Sequence, residues 1–409
     1  MKVMTINCVY QIGSTGKIIE VIAERLSDRC EFYFCYEKGC KPAADHCYRI
    51  AYKWEYLFYH ILSRLSGLKY STGYITTWRL CRYIRKVNPD IVHLHCPNSN
   101  TVNIPKLLSF LKKEKIPVAV TNHAEFYYTG NCAYAFDCLK FKMGCGNCRY
   151  VFDAHHPYLF DRTSYEWKRM KDALSDNPDL VMAAVSPWVL ERMMLSPISK
   201  KLKKTVIKNG IDTKHAFYPR QDTTKLRKKY NIDSRKKAVF HVTSVFYDNE
   251  DSIKGGRYVI ELAEKMPDLI FIVAGPYFLN SKKTYPSNLI FTGNILNMDV
   301  LAEYYSLCDL TLVTSKKETY GMVCAESLSC GTPVAGFKSG GMESIALVDY
   351  CEFVEYGDIE QLEKVITKWI CRKESLIPDI WKDAAVEYSA EKMAEEYYLL
   401  YKTLCKKGK

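Results

Sequence analysis

The stretch Glu318-Thr-Tyr-Gly-Met-Val-Cys-Ala-Glu326, continued by Ser-Leu-Ser-Cys-Gly-Thr-Pro-Val to Val334, places two carboxylates eight residues apart around a glycine that opens a helix. A glycine at 321 lets the backbone approach a ligand closely, and the first turn of the helix that follows offers N–H groups to an anion such as a diphosphate. Glu318 then lies on the loop and Glu326 on the helix, where carboxylates can hold the hydroxyls of a sugar and a ribose. Gly331-Thr332-Pro333 ends the helix and turns the chain into a short apolar strand, Val334 to Gly336, so the segment reads strand, loop, helix, strand. An isolated Glu pair of this kind is more often an idle helix surface, and its neighbours decide.

Working outward, short β-rich apolar runs alternate with helical stretches, the pattern of α/β domains with parallel sheets. The first half has candidate strands at Val3–Cys8, Glu31–Tyr36, Ile91–His95, Val118–Thr121 and Leu180–Val185. The second has them at Ala238–Thr243, Leu269–Ala274, Leu289–Thr292, Leu310–Thr314 and Val334–Gly336. The expectation is two doubly wound Rossmann-like domains, 1–203 and 204–388, with ligands beyond the carboxyl ends of the strands in the cleft between them. Residues 389–409 form a last helix expected to pack near the junction.

A chain of 409 residues exceeds one usual core, and 48% hydrophobic with 25% charged content is globular. The N-terminus Met1-Lys-Val-Met-Thr-Ile-Asn-Cys8 reads as a strand, not a signal peptide, and no apolar run approaches the roughly 20 residues that cross a bilayer. The expected compartment is the cytoplasm, with the 17 cysteines mostly reduced. The net charge of +12 is uneven: residues 1–203 hold 29 Lys and Arg against 18 Asp and Glu, whereas residues 204–409 hold 29 against 28. The first half is thus suited to an anionic surface, although scattered lysines that merely aid solubility give the same count. A clustered aromatic and basic surface for reading nucleic acid is lacking, so no nucleic-acid partner is expected.

Other loops fall at strand ends. Gly13-Ser-Thr-Gly-Lys17 follows the first strand and precedes a helix expected near Ile18, so it can cradle a phosphate. It is not a P-loop, because Gln11 stands where that motif needs its first glycine and Ile18 where it needs Ser or Thr. The dinucleotide pattern G-x-G-x-x-G is absent. Lys254-Gly255-Gly256 precedes a helix, and a lysine at a helix N-terminus suits an anionic ligand, although a solvated loop lysine explains it as well. Asn209-Gly-Ile-Asp212 is a turn that can lead into the second domain.

Together these residues resemble the retaining, nucleotide-sugar-dependent glycosyltransferases of the GT-B fold, family 4 (glycosyl transferases group 1), of the bacterial surface-polysaccharide type. The resemblance covers most of the chain and rests on Glu318–Glu326 with Cys330-Gly-Thr-Pro-Val334, on Asn209–Asp212, on Lys254-Gly255 and on Gly13–Gly16. Many members carry an Arg shortly before the Lys-Gly pair, and here Ser244-Val245-Phe246 fills that region. The resemblance implies that Glu318 binds donor-sugar hydroxyls, Glu326 binds the ribose, and Gly321, Met322 and Val323 face the sugar and diphosphate with their N–H groups. Lys254 would neutralise the leaving diphosphate, and Gly13 and Gly16 would close on the donor from the other domain. The leaving phosphate oxygen takes the acceptor's proton in such enzymes, so no carboxylate pair of the glycosidase kind is required. No Asp-x-Asp motif occurs, and no cofactor is expected for catalysis.

Val120-Thr-Asn-His123-Ala-Glu125 ends the fourth strand. A lone histidine is more often structural, but family resemblance gives His123 a contact to the donor sugar, with Glu125 a weaker candidate beside it. His93 and His95 read as packing or loop-shaping residues. Cys132, Cys138, Cys145 and Cys148 follow in one loop, a Cys-x2-Cys with two further thiols that fits a structural zinc site as well as it fits thiols that merely pack a loop. The aromatic run from Tyr48 to Leu65 is helical in pattern and also has two readings. An interfacial helix would place Trp54, Phe58 and Leu65 among lipid headgroups; a buried domain helix explains the same positions.

The expected activity is transfer of a sugar, with retention, from a nucleotide-sugar donor to a glycan or polyprenyl-linked acceptor. The protein would be cytoplasmic, and peripheral at the inner face of the membrane if its basic half meets anionic lipid. The alternatives are another GT-B activity such as a nucleotide-sugar epimerase, and a catalytically silent nucleotide- or glycan-binding relative.

Overall fold

Seven parallel strands make the first sheet: β1 (Lys2–Ile6), β2 (Glu31–Tyr36), β3 (Cys47–Arg49), β4 (Ile91–Leu94), β5 (Val118–Asn122), β6 (Leu180–Ala184) and β7 (Lys203–Val206), in the order β3-β2-β1-β4-β5-β6-β7. The central strands β4, β5 and β6 are buried at every residue. That is why they read as near-continuous apolar runs rather than as alternating ones. The second sheet has six parallel strands, β8 (Ala238–Val242), β9 (Ile270–Ala274), β10 (Leu289–Gly293), β11 (Leu310–Val313), β12 (Val334–Phe337) and β13 (Cys351–Val354), in the order β10-β9-β8-β11-β12-β13. Each order reverses once, between β1 and β4 and between β8 and β11, so each sheet is doubly wound and has one switch point where strand ends open a crevice.

This computed structural model describes residues 1–39, 46–154, 157, 159–233, 235–250, 252–372 and 377–406. The chain divides into one unit of Met1–Lys208 with Met393–Lys409 and a second of Asn209–Lys392. Strand β7 pairs with β6, so the first unit runs past residue 203 to Lys208. The last helix (Ala390–Cys405) passes from the second unit back to the first. Its Tyr397 hydroxyl bonds Thr121 Oγ1 at 2.8 Å and its Tyr401 hydroxyl bonds His93 Nδ1 at 2.7 Å, both under the first sheet. Residues 407–409 of the expected C-terminal segment lie outside the described residues.

Three helices of the first unit bear on function: α1 (Gly13–Arg25), α2 (Lys53–Ser66) and α3 (Tyr74–Val87). In the second unit, α4 (Gly256–Lys265) buries Tyr258, Val259, Leu262 and Ala263, a stripe at helical spacing, against Val239, Phe271, Val273 and Leu312 of the sheet. Helix α5 (Met322–Ser329) buries Cys324, Ala325 and Leu328 and is tied to β11 by the Ser327 hydroxyl, which donates to Thr311 Oγ1 at 2.7 Å. Among the described residues no helix is long and apolar enough to cross a membrane.

Candidate active site

The second unit gathers Lys254, Glu318 and the start of α5 at the switch point between β8 and β11. The Lys254 ammonium stands 2.6 Å from Glu318 Oε1, across 64 positions of sequence. Backbone geometry fixes both partners. Gly255 caps α4 at φ +68°, and a Cβ there would come 2.2 Å from the Thr314 carbonyl oxygen, so only glycine lets the Lys254 loop lie on the end of β11. The Thr314 hydroxyl donates to the Lys254 carbonyl at 2.9 Å, and the Lys316 N–H donates to the Ile253 carbonyl at 2.8 Å. Glu318 is held from the other side, its N–H donating to the Ser339 carbonyl at 3.1 Å and its carbonyl accepting from Gly341 N at 2.8 Å. The Glu343 carboxylate in turn accepts from the N–H groups of Ser339 and Gly340, at 2.9 and 2.8 Å.

Gly321 caps α5 at φ +90°, the left-handed conformation that the opening motif requires. Met322 and Val323 in the first turn of α5 are partly exposed, and so is Glu326 one turn on. The buried Tyr305 hydroxyl donates to Glu326 Oε2 at 2.8 Å, and burial together with that carboxylate holds the phenol well above its ordinary pKa. A cation, two carboxylates and a helix N-terminus thus share one edge of one unit. Such a set can neutralise a diphosphate and accept hydrogen bonds from sugar hydroxyls. Sequence reasoning placed Lys254, Glu318, Gly321, Met322, Val323 and Glu326 here but missed Tyr305, Thr314 and the Ser339–Gly341 loop. Only the Gly340-Gly341 pair carried a local signal, that of a tight turn.

In the first unit, His95 and His123 stand side by side, Nδ1 to Nε2 at 3.0 Å, one ring donating and the other accepting. Burial pushes His123 down to about 4 and His93 to about 3, and holds His95 well below the ordinary histidine value. At neutral pH all three are therefore uncharged and can offer hydrogen bonds but no cation. His93 is spent on packing, with Nδ1 at 2.7 Å from Tyr401 and Nε2 at 2.7 Å from the Thr121 hydroxyl. The buried atoms His95 Nε2 and Asn122 Oδ1 find no hydrogen-bond partner among the described residues, which leaves polar capacity at the carboxyl ends of β4 and β5.

Two expectations change. Gly13 and Gly16 do not form a loop ahead of a helix near Ile18. They lie in the first turn of α1, which Gly13 opens at φ +65° after Gln11 at φ +60° has turned the chain. The turn is tied to the end of β1, where Asn7 Nδ2 donates to Thr15 Oγ1 at 3.3 Å. Glu125 does not face a ligand. It is fully buried, pairs with Arg192 at 2.7 Å and accepts from Ala135 N at 3.1 Å, so it anchors the cysteine loop.

That loop brings Cys132, Cys138, Cys145 and Cys148 into electrostatic reach of one another. Burial, with the neighbouring thiols adding to it, raises Cys132 and lifts Cys145 to about 11. Among the described residues no three or more His, Cys, Asp or Glu side chains are arranged as a metal centre.

Two doubly wound parallel-sheet units, one bearing an anion-ready helix start flanked by Lys254 and Glu318, define the GT-B class of glycosyltransferase folds. Residues 16–215 match the family described as Glycosyltransferase Family 4 and residues 222–377 that described as Glycosyl transferases group 1. The chain belongs to these family 4, group 1 glycosyltransferases. It is 26% identical over 198 residues to N-acetyl-alpha-D-glucosaminyl L-malate synthase of Bacillus anthracis (46% of this chain, 47% of that one). It is 27% identical over 234 residues to alpha-monoglucosyldiacylglycerol synthase of Streptococcus pneumoniae (54% and 52%). The chain spans about half the length of these two relatives. Its fold is similar to that of Anabaena Alr3699/HepE in complex with UDP, with a TM-score of 0.66 at 14% identity over 98% of this chain and 100% of that one.

Proposed function

We propose that the protein transfers a sugar, with retention, from a nucleotide-sugar donor to a glycan or lipid-linked acceptor in the making of cell-surface polysaccharide. The observation that carries this reading is the Lys254–Glu318 pair at the start of α5, at 2.6 Å, with Glu326 farther along the same helix. The donor's ribose would sit on Glu326 and its diphosphate against the N–H groups of Gly321, Met322 and Val323. Glu318 would accept from sugar hydroxyls. The acceptor oxygen would attack the anomeric carbon as the bond to phosphate breaks, the electron pair leaving with the phosphate and the acceptor's proton passing to a phosphate oxygen. Lys254 would offset the charge that grows there, so its contribution is electrostatic. His123, neutral and paired with His95, and Gly13 and Gly16 are the first unit's candidates for contact with the donor, as the family resemblance implies. Neither a divalent cation nor a carboxylate base enters this chemistry.

The test is a panel of nucleotide sugars screened for a rise in melting temperature of the full chain, followed by turnover with the stabilising donor. The reading requires at least one such donor and loss of turnover in Glu318→Ala. Release of epimerised sugar without any acceptor would favour the epimerase, and donor binding without turnover the silent relative. The four thiols of the 132–148 loop are of the ligand type that zinc takes but are not drawn together as a metal centre among the described residues; we infer a structural zinc at Cys132, Cys138, Cys145 and Cys148 on ligand type and spacing alone, with packed thiols as the alternative.

A further inference from the structure

Helix α2 is built with its polar side inward. Its buried residues are Glu55, Tyr59 and Ser63, one row at a spacing of four. The row is held by polar contacts: Glu55 accepts from Arg79 at 2.7 Å and from the Tyr52 N–H at 2.8 Å, and the Tyr59 hydroxyl accepts from Ile75 N at 3.2 Å. The other side carries Trp54, Leu57, Phe58, Ile61, Leu62 and Leu65, a continuous apolar stripe at helical spacing whose members are 36% to 66% exposed. An amphipathic helix of a globular protein normally turns such a stripe to the core. Here it faces outward.

The stripe is not isolated. Helix α3, clamped to α2 by Arg79 and Ile75, exposes Tyr74, Ile75 and Trp78. At the other end of α2, a Cβ on Gly67 would meet the Phe160 carbonyl oxygen at 2.2 Å, so the exposed Leu159 and Phe160 lie beside the helix terminus. Monomers rarely expose large contiguous apolar patches, and nine large apolar side chains of α2 and α3 are at least 36% exposed here.

Charge identifies what covers the face. Residues 47–86 hold eight Lys and Arg and a single acid, Glu55, which is buried and paired. The exposed Lys53 opens α2, the Arg82 guanidinium lies 4.9 Å above the Trp78 ring, and Lys106 Nζ lies 5.1 Å above Tyr74. Cations at Lys53, Arg82 and Lys106 thus lie beside the exposed aromatic and apolar residues of α2 and α3. A second copy of the chain would bring like charges together, whereas an anionic bilayer supplies phosphates for the rim and acyl chains for the stripe.

We propose that α2 and the first turn of α3 seat the first unit on an anionic lipid surface, with Trp54, Leu57, Phe58, Ile61 and Leu65 inserted at the headgroup boundary and Lys53 and Arg82 against lipid phosphates. The membrane-side acceptor of the proposed function gives this seat its purpose and rests on that reading; binding to lipid can be measured without turnover.

The test is flotation of the full chain with vesicles of phosphatidylcholine alone and of phosphatidylcholine mixed with phosphatidylglycerol, at low and high salt. Binding is expected on the mixed vesicles at low salt, weakened roughly tenfold or more by high salt, by Leu57→Glu with Ile61→Glu, and separately by Lys53→Glu with Arg82→Glu. These side chains are exposed, so the variants should keep the parent's melting temperature and its stabilisation by the nucleotide sugar. Three results overturn the proposal: no binding to mixed vesicles at low salt, binding unaltered in both variants, or a dimer that the apolar variant dissociates. Lipid binding without donor turnover would instead leave the seat standing and remove the transferase reading.

Discussion

Lys254 and Glu318 neutralise one another across 64 positions of sequence, Nζ to Oε1 at 2.6 Å, with both side chains largely shielded from solvent. In the absence of donor the site's cation is therefore engaged by the carboxylate that the proposed chemistry assigns to the sugar. Donor binding has to exchange this contact for one between Lys254 and the diphosphate, releasing Glu318 to the sugar hydroxyls.

The exchange predicts a specific kinetic pattern. Lys254→Ala should lower kcat by about a hundredfold or more, the usual cost of removing a group that stabilises transition-state charge, with a smaller change in KM. Glu318→Ala should also be severe. Because the two side chains touch, the double variant should lose much less than the sum of the single losses in free energy. Strict additivity in steady-state transfer assays with the donor found by thermal screening would show that the pair does not act as a unit.

Glu326 is oriented by a residue that the motif does not announce. The Tyr305 hydroxyl donates to its Oε2 at 2.8 Å from a fully buried position. Tyr305→Phe keeps the ring and its packing but releases the carboxylate. A hydrogen bond to a charged group is worth roughly 1.5–3 kcal/mol, so donor Kd should rise about tenfold or more while kcat changes little. Calorimetry with the donor separates the outcomes. An unchanged Kd would mean that Glu326 needs no orienting partner, and a fall in kcat alone would move Tyr305 into the chemistry.

Most of the second-unit site was legible because its signals are local. Gly255 and Gly321 mark positive-φ helix caps, and Gly331-Thr332-Pro333 marks a helix end, so loop and helix could be placed from single residues. Contacts between distant segments were not legible: Lys254 with Glu318, Tyr305 with Glu326, and His95 with His123 depend on which strand ends the crossovers bring together. Helical periodicity grouped Trp54, Phe58 and Leu65 on one face but could not say which way that face turns. Its buried partners, Glu55 and Ser63, look like surface residues in a sequence. Strand β7 (Lys203–Val206) was hidden among lysines, which edge strands often carry against unwanted pairing.

The histidines of the first unit predict acid sensitivity. Folding holds His93 and His123 at about 3 and 4, with His95 also well below its unfolded value near 6.5. Between about pH 6.5 and 4 the unfolded chain thus binds more protons than the folded one, so stability is complete above that window and declines as pH falls through it. Buried Glu166 acts in the opposite sense. Its pKa is raised to about 7 by burial, so its contribution is full below its unfolded value and is lost as pH rises toward 7. Glu37, likewise raised by burial, adds to that opposition. With buried His241 of the second unit, also pushed down to about 4, four rings stand against two carboxyls and leave a net loss in acid, on the order of 2–3 kcal/mol per pH unit. Urea melts of the full chain at pH 7.5 and 5 should show it, and His123→Asn should make the slope shallower. A slope of opposite sign would mean that the rings are protonated in the folded state.

The cysteine loop yields the last prediction. Burial and mutual repulsion hold the Cys132 and Cys145 thiols above their ordinary pKa, which is a cost only if the loop must hold several thiolates together without a counter-charge. A dication supplies that charge and deprotonates its ligands outright, so metal binding and loop folding would be one event. Because Glu125, itself paired with Arg192, accepts from Ala135 N within this loop, metal removal should loosen the segment from the first unit without touching the Lys254–Glu318 site. Protein purified without added zinc should contain about one zinc per chain, should protect Cys132, Cys138, Cys145 and Cys148 from thiol reagents, and should release that protection to a chelator. Cys145→Ser with Cys148→Ser should abolish the zinc and lower the melting temperature of the first unit while leaving donor-induced stabilisation in place. Substoichiometric metal with all four thiols freely titratable would instead make the loop a set of packed thiols, held by contacts such as those of Glu125 with Ala135 N and of Asp161 with Cys148 N.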